Sequence, residues 1–191
     1  WTRNTPRSSG YRLFLQLYWE GLKPSHFFAR LRCALAYGLT LPMLRIATWN
    51  INSLRIRQGI LQRFIAEHQP DVLCVQETKV QDEHFPTEMI TALGYPHMAF
   101  TGQKSYNGVA IFSRLPLSHI DCMDVLGNGD RRHISARLSN GLTIHNFYVP
   151  AGGDIPDPTL NPKFRDKLAF IDAMREWAPK RVDDKDPVIA V

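Results

Sequence analysis

Glu77 is the residue of this chain whose position best suits chemistry. Residues 72–79 read VLCVQETK, an apolar run that stops abruptly at a carboxylate. Such a run predicts a buried strand whose last residues reach an edge of a sheet. A carboxylate delivered to that edge is a candidate ligand for a metal ion. The alternative is an ordinary turn residue or helix cap in contact with solvent.

A second predicted strand also ends in residues with oxygen ligands. Residues 44–49 alternate as a strand does and stop at Asn50 and Asn52, with Arg55 and Arg57 just beyond. Carboxylate, amide and water oxygens are the ligands that Mg²⁺ prefers, and a substrate phosphate often supplies the rest of its coordination. Two strand ends that carry oxygen ligands therefore predict one site in a phosphate-processing enzyme.

The elements that must position these residues alternate between strands and helices. Hydrophobic periodicity and turn residues predict helices over residues 56–68, 86–93 and 162–177. They predict strands over residues 44–49, 72–76, 96–101, 107–113, 117–122, 131–138, 142–149 and 188–191. Early and late βα units around a run of hairpins indicate an α/β protein with mixed sheets.

The basic character of the chain carries no argument for nucleic-acid binding. The net charge is +5, but residues 1–42 hold six Lys/Arg and one acidic residue, which accounts for all of it. Subtraction leaves 17 basic and 17 acidic residues in residues 43–191. Affinity for DNA would therefore need a local arrangement of cations on one face.

Four segments, taken in order, carry a resemblance to a known family. They read IATWNINSLR (46–55), QPDVLCVQETK (69–79), YNGVAI (106–111) and NFYVP (146–150). Together they resemble exonuclease III, the bacterial branch of the endonuclease/exonuclease/phosphatase superfamily, which also holds the apurinic/apyrimidinic endonucleases. The resemblance runs from about Met43 to Val191. It implies two packed mixed β-sheets flanked by helices, the deoxyribonuclease I-like sandwich.

The resemblance also implies roles for particular residues. Glu77 and Asn52 match metal-binding positions. Of the matched catalytic positions, Asn50 is the Asn that supports the family's catalytic Asp and His, and Tyr148 is the Tyr near the scissile phosphate. Asn50 would otherwise form an Asx turn, and Tyr148 would be a rim residue at a strand end. The matched DNA-binding positions are Arg55, Lys79, Lys104 and Tyr106. For these the alternative is a solvated surface, and Arg131 and Arg132 are further candidates that a hairpin tip would explain equally well.

The implied activity is hydrolysis of DNA phosphodiesters by water with Mg²⁺ or Mn²⁺ bound. The expected reactions are 3′ to 5′ exonuclease cleavage and incision at abasic sites in base-excision repair. The partner would be double-stranded DNA with abasic sites or 3′ ends, and we expect a cytoplasmic monomer. The alternatives are an inactive DNA-binding remnant and a superfamily phosphatase acting on a lipid or inositol phosphate.

The two ends of the sequence and its cysteines add further expectations. Residues 1–42 do not resemble the family, and we expect them to be non-native or disordered. The family's later catalytic Asp, Asn and His would follow Val191, so we expect an incomplete domain that is inactive by itself. No apolar run is long enough to span a membrane. Three cysteines without a C-x-x-C pair indicate a reduced, intracellular protein without a zinc site.

Overall fold

The computed structural model describes residues 11–18, 26–35, 44–182 and 188–191. The helices of this part are α1 (Gln58–His68), α2 (Thr87–Ala92) and α3 (Pro162–Val182), with a 3₁₀ turn at Asp82–His84. The strands are β1 (Tyr11–Tyr18), β2 (His26–Leu35), β3 (Leu44–Asn50), β4 (Val72–Gln76), β5 (His97–Gln103), β6 (Tyr106–Ser113), β7 (Leu117–Asp121), β8 (His133–Leu138), β9 (Thr143–Phe147) and β10 (Val188–Ala190).

The first sheet brings the ends of two neighbouring strands to one edge. Its strand order is β1-β2-β3-β4-β6-β5. β3 and β4 are parallel, because α1 carries the chain back between them, and Asn50 lies opposite Gln76 in the register. All five residues of β4 are buried, as the apolar run predicts for a central strand.

The second sheet has the order β10-β9-β8-β7, in which only the β9–β10 pair is parallel among the described strands. Side chains of both sheets form one apolar cluster between them, which includes Val72, Cys74, Ile111, Ile134 and Ile144. A second cluster covers the opposite face of the first sheet, where Leu61 and Phe64 of α1 pack. On the outer face of the second sheet, Phe170 and Trp177 of α3 contact Phe147 edge-on.

The expected architecture of two mixed sheets flanked by helices is confirmed, with differences at the ends of elements. α3 continues to Val182 through Pro179, although a proline disfavours the helical conformation of the residue before it. β8 begins at His133, because the backbone N–H of Arg131 is bonded to the Gln103 side chain instead of a strand. None of the helices in the described part is long and apolar enough to cross a membrane.

The N-terminal strands lie beside β3 at the edge of the first sheet. β2 pairs with β3 antiparallel, and β1 pairs with β2. Residues 11–18 and 26–35 are thus strands in the structure, whereas residues 1–10, 19–25 and 36–43 lie outside the described residues. That residues 1–42 are non-native stays a prediction.

Candidate active site

The ends of β3 and β4 bring Asn50, Asn52 and Glu77 together. Beyond the last register pair, the segments that follow β3 and β4 remain joined by backbone hydrogen bonds from Ile51 N to Gln76 O (3.0 Å) and from Ser53 N to Glu77 O (2.7 Å). The parallel pairing therefore continues into the two loops. This is the convergence that the two strand ends predicted.

The Glu77 carboxylate is held by three donors. Its Oε1 accepts hydrogen bonds from Asn50 Nδ2 at 2.8 Å and from the Tyr148 hydroxyl at 2.6 Å. Its Oε2 pairs with Lys79 Nζ at 3.0 Å. Burial acts to raise the pKa of Glu77, but the bonds from Tyr148, Asn50 and Lys79 outweigh it, and the pKa lies below its usual value. The carboxylate is therefore ionised at neutral pH.

The Tyr148 side chain stays protonated. Burial is the largest cause that raises the pKa of Tyr148, and the hydrogen bond to the Glu77 carboxylate raises it further. Tyr148 is thus a hydrogen-bond donor in this site. It comes from the segment after β9 in the second sheet, so the Glu77 carboxylate is bound from both sheets.

The two loops that carry Asn52 and Glu77 have an unusual backbone. Asn52, Glu77 and Lys79 have positive φ angles of 46°, 56° and 54°, which residues other than glycine seldom adopt. β6 supports this conformation, because Thr78 N donates to Gly108 O at 3.1 Å and Lys79 N donates to Asn107 O at 3.0 Å. Such strain persists only where the surroundings impose it, and it clusters at functional sites.

Arg132 positions Tyr148. Its guanidinium carbon lies 4.7 Å from the centre of the Tyr148 ring, and its Nε donates to Asp130 Oδ2 at 2.8 Å. Tyr148 N in turn donates to Arg132 O at 2.7 Å. The Arg132 side chain is only 8% exposed, so it supports the site from within. Arg131 is exposed, and its carbonyl accepts a bond from Gly108 N.

Sequence reasoning missed several supporting side chains. Asp130 fixes Arg132, and the buried amides of Gln76 and Asn146 are bonded to each other at 2.6 Å behind the site. A polar amide inside an apolar strand was the available signal for both, because buried polar groups require partners.

Two oxygens of the site, Asn52 Oδ1 and Glu77 Oε2, contact the same cation, the Lys79 ammonium. Lys79 Nζ lies 2.6 Å from Asn52 Oδ1 and 3.0 Å from Glu77 Oε2. The described residues hold no group of three or more His, Cys, Asp or Glu side chains suited to a metal. One carboxylate and one amide facing the same point nevertheless fit a hard divalent cation that keeps several waters or substrate oxygens. The donor set therefore fits Mg²⁺ or Mn²⁺.

The predicted DNA-binding residues divide between two neighbouring pockets. Arg55, Lys79 and Lys104 line one of about 190 Å³ together with His84, and no acidic side chain lines it among the described residues. Tyr106 is 57% exposed and lines the other pocket, of about 400 Å³, beside Arg132 and Tyr148. The structure thus groups three of the four residues and places Tyr106 in the same pocket as the tyrosine that contacts Glu77. His84 had not been singled out from the sequence.

Comparisons with known proteins show which proteins this chain resembles. Residues 47–191 match the Endonuclease/Exonuclease/phosphatase family. Exodeoxyribonuclease III of Haemophilus influenzae is 34% identical over 151 residues, which cover 76% of this chain and 55% of that relative. An AP endonuclease structure from Archaeoglobus fulgidus has a TM-score of 0.68 and 35% identity, over 78% of this chain and 56% of that one.

A third similar protein is the 3′ phosphatase NExo from Neisseria, whose structure contains a product DNA hairpin. Its TM-score is 0.67 at 33% identity, over 76% of this chain and 55% of that one. The resemblance predicted from the four sequence segments is confirmed. The chain spans about half the length of the relatives it matches.

Proposed function

The chain belongs to the endonuclease/exonuclease/phosphatase family, and we propose that its function is that of a metal-dependent DNA phosphodiester hydrolase of base-excision repair. The proposed reactions are 3′ to 5′ exonuclease cleavage and incision at abasic sites in duplex DNA. The observation that carries this proposal is the Glu77 carboxylate, which Asn50 and Tyr148 fix beside a pocket lined by cations.

Glu77 and Asn52 would hold Mg²⁺ or Mn²⁺ through the oxygens that face Lys79. A divalent ion bound there supplies a Lewis acid for a phosphoryl oxygen and for the charge that develops on the leaving oxygen. Asn50 and Tyr148 keep the carboxylate ionised and oriented through Glu77 Oε1, which leaves Oε2 available.

The cations around the first pocket suit a DNA backbone. Arg55 and Lys104 line it without an acidic neighbour among the described lining residues, so a phosphate there would be neutralised. Phosphate contacts fix the register of a protein on DNA but carry no sequence information. This property suits an enzyme that must act on lesions anywhere in a genome.

None of the side chains bonded to Glu77 in the described residues suits the removal of a proton from water. Among the described side chains bonded to Glu77, two donate through nitrogen and the third is the phenol of Tyr148, whose pKa is raised. Glu77 itself accepts three hydrogen bonds and is ionised at a lowered pKa, which makes it a poor base. We therefore propose that residues 1–191 alone bind DNA and metal without cleaving.

Binding and cleavage are tested separately. For binding, fluorescence anisotropy of a duplex with an abasic-site analogue should show Mg²⁺-enhanced affinity for the 191-residue chain. Glu77→Gln should abolish the enhancement, and Glu88→Gln, which changes a carboxylate in the exposed first turn of α2, should retain it.

For cleavage, protein from the complete open reading frame should nick abasic duplex DNA with Mg²⁺ and stop in chelator. In that protein we expect Glu77→Gln to slow nicking at least about 100-fold. The proposal would be refuted if nicking persisted in chelator or if no nicking occurred with Mg²⁺. Phosphate release from an inositol phosphate instead would favour the superfamily phosphatase.

A further inference from the structure

Lys79 occupies a different place from the one expected of a DNA contact. Its ammonium lies inside the site, 2.6 Å from Asn52 Oδ1 and 3.0 Å from Glu77 Oε2. These are the two oxygens that the proposed metal site needs. The Lys79 side chain is 30% exposed, so the contact is only partly shielded from solvent.

The backbone aims Lys79 at this point. Its φ angle of 54° is one of the positive values in the loop, and its N–H is bonded to Asn107 O at 3.0 Å. The position of its Cα is therefore fixed by β6. Beyond that Cα, a lysine side chain is a flexible stem with a compact charge, which can leave one anion for another without backbone movement.

One cation excludes another from this pair of oxygens. A divalent ion bound by Glu77 and Asn52 at Mg²⁺ ligand distances of about 2.1 Å would meet the ammonium at close range, where like charges repel. The same Lys79 side chain also lines the pocket formed with Arg55 and Lys104. The ammonium therefore has an alternative location, and that location is the one proposed for a DNA phosphate.

We propose that Lys79 is an internal occupant of the cation site that exchanges with the divalent metal. In the metal-free protein it neutralises Glu77 and holds Asn52 in place. When metal binds, Lys79 leaves these oxygens and turns to the phosphate pocket, so that metal and DNA binding favour each other. Lys79 is then a positioning residue that couples the two, and this inference rests on the proposed function.

The test is the affinity for Mn²⁺, measured from the electron paramagnetic resonance signal of the free ion on the 191-residue chain. Lys79→Met removes the competing charge and keeps the length of the side chain, and we expect about tenfold tighter binding. Lys104→Met is the matched control, because it removes a cation from the same pocket that makes no contact with Glu77 or Asn52. We expect its affinity to stay within about twofold of the wild type.

The outcomes separate the two proposals. If Glu77→Gln abolishes Mn²⁺ binding but Lys79→Met binds Mn²⁺ no more tightly than the wild type, the role of Lys79 is overturned. The metal site then stands. If Glu77→Gln leaves Mn²⁺ binding unchanged both in the wild type and in Lys79→Met, the metal site is overturned, and the role of Lys79 with it. Equal tightening in Lys104→Met reduces the effect to general electrostatics and also overturns the role of Lys79.

A second measurement follows Lys79 in the wild-type protein. In wild-type chain with ¹³C-labelled lysine, Mg²⁺ should shift the Cε signal of Lys79 in proportion to occupancy, and the signal of Lys180, at the far end of α3, should not move. Lys79→Met serves only to assign its signal. An unchanged Lys79 signal at saturating Mg²⁺ would contradict the exchange.

Discussion

Gln76 Nε2 donates a hydrogen bond of 2.6 Å to Asn146 Oδ1, and this bond joins the two sheets directly behind Glu77. Asn146 is fully buried, and its Nδ2 donates to Val75 O at 3.0 Å and to Ala110 O at 2.9 Å. Thr48 Oγ1 accepts a second bond from Gln76 Nε2. The polar network is thus satisfied in the interior and fixes how the second sheet, which carries Tyr148, sits against the first.

Asn146→Ala should lower the free energy of unfolding by about 1–3 kcal/mol, because it leaves the buried Gln76 amide without this partner and opens a cavity. Urea unfolding followed by circular dichroism measures it. Asn140→Ala is the control, since Asn140 caps an exposed turn through Leu142 N and water can replace that bond. A loss no larger than that of the control would contradict a structural role for the network.

Tyr148→Phe keeps the ring that lies against Arg132 and removes only the donor to Glu77. The pKa of Glu77 should rise, because a hydrogen bond to its ionised form is lost. Carbon-13 NMR of labelled glutamate side chains reads this pKa directly. Tyr106→Phe changes an exposed phenol that is not among the partners of Glu77, and it should leave the pKa unchanged.

The same pKa has a consequence for stability. The folded pKa of Glu77 is depressed, so its contribution is present above the unfolded value of 4.5 and is lost as the pH falls through the folded value. In Tyr148→Phe the folded value lies closer to the unfolded one. Acid unfolding profiles should therefore be less steep below pH 4.5 in the variant than in the wild type.

The sequence predicted the part of the site that strand order determines. Asn50 and Glu77 follow two apolar strands joined by a helix, and such strands pair in parallel with their carboxyl ends at one edge. The meeting of these two side chains therefore followed from the hydrophobic pattern. Their assignment to metal binding and catalysis needed the resemblance to a family as well.

Other contacts could not be predicted because they depend on backbone angles or long sequence separations. Lys79 reaches Asn52 from a backbone position with a positive φ angle, and no residue type in that loop signals such a conformation. Gln76 and Asn146 are 70 residues apart, and local propensity says nothing about such a pair. Arg132 precedes a strand as a surface residue would, yet the fold buries it under Tyr148.

His133 predicts a pH dependence of stability that is independent of the site. Its Nδ1 accepts a hydrogen bond from Met123 N at 3.0 Å, and its Nε2 lies 3.0 Å from His145 Nδ1. Burial, followed by the charge of His145 and, more weakly, Arg181, lowers its pKa to about 4, while Asp121 acts in the opposite direction. The folded protein therefore disfavours a proton on this ring.

Between the ordinary value of 6.5 and about 4, the unfolded chain binds a proton at His133 and the folded chain does not. The free energy of unfolding should therefore fall as the pH is lowered across this range, by at most about 3 kcal/mol. Urea unfolding at several pH values measures the slope. His133→Gln should reduce the slope, and His84→Gln, at an exposed position, should not. Equal slopes in all three proteins would refute the assignment.

Gly108 gives the sharpest test of how β6 supports the Glu77 loop. A Cβ atom at this position would lie 2.2 Å from Thr78 Oγ1, and the φ angle is +90°. Gly94 has the same φ angle of +90° with no atom within 4 Å of an added Cβ. The two glycines therefore differ in the space around them and share the backbone conformation that disfavours other residues.

Gly94→Ala should cost about 1 kcal/mol of unfolding free energy for the backbone conformation alone. Gly108→Ala should cost about 3 kcal/mol, because the methyl group must also displace Thr78, whose N–H is bonded to Gly108 O. Since Thr78 adjoins Glu77, Gly108→Ala should weaken Mn²⁺ binding as well, and Gly94→Ala should not. Urea unfolding and Mn²⁺ titration measure the two effects. Equal costs for both variants would show that Thr78 yields freely and that β6 does not hold the loop.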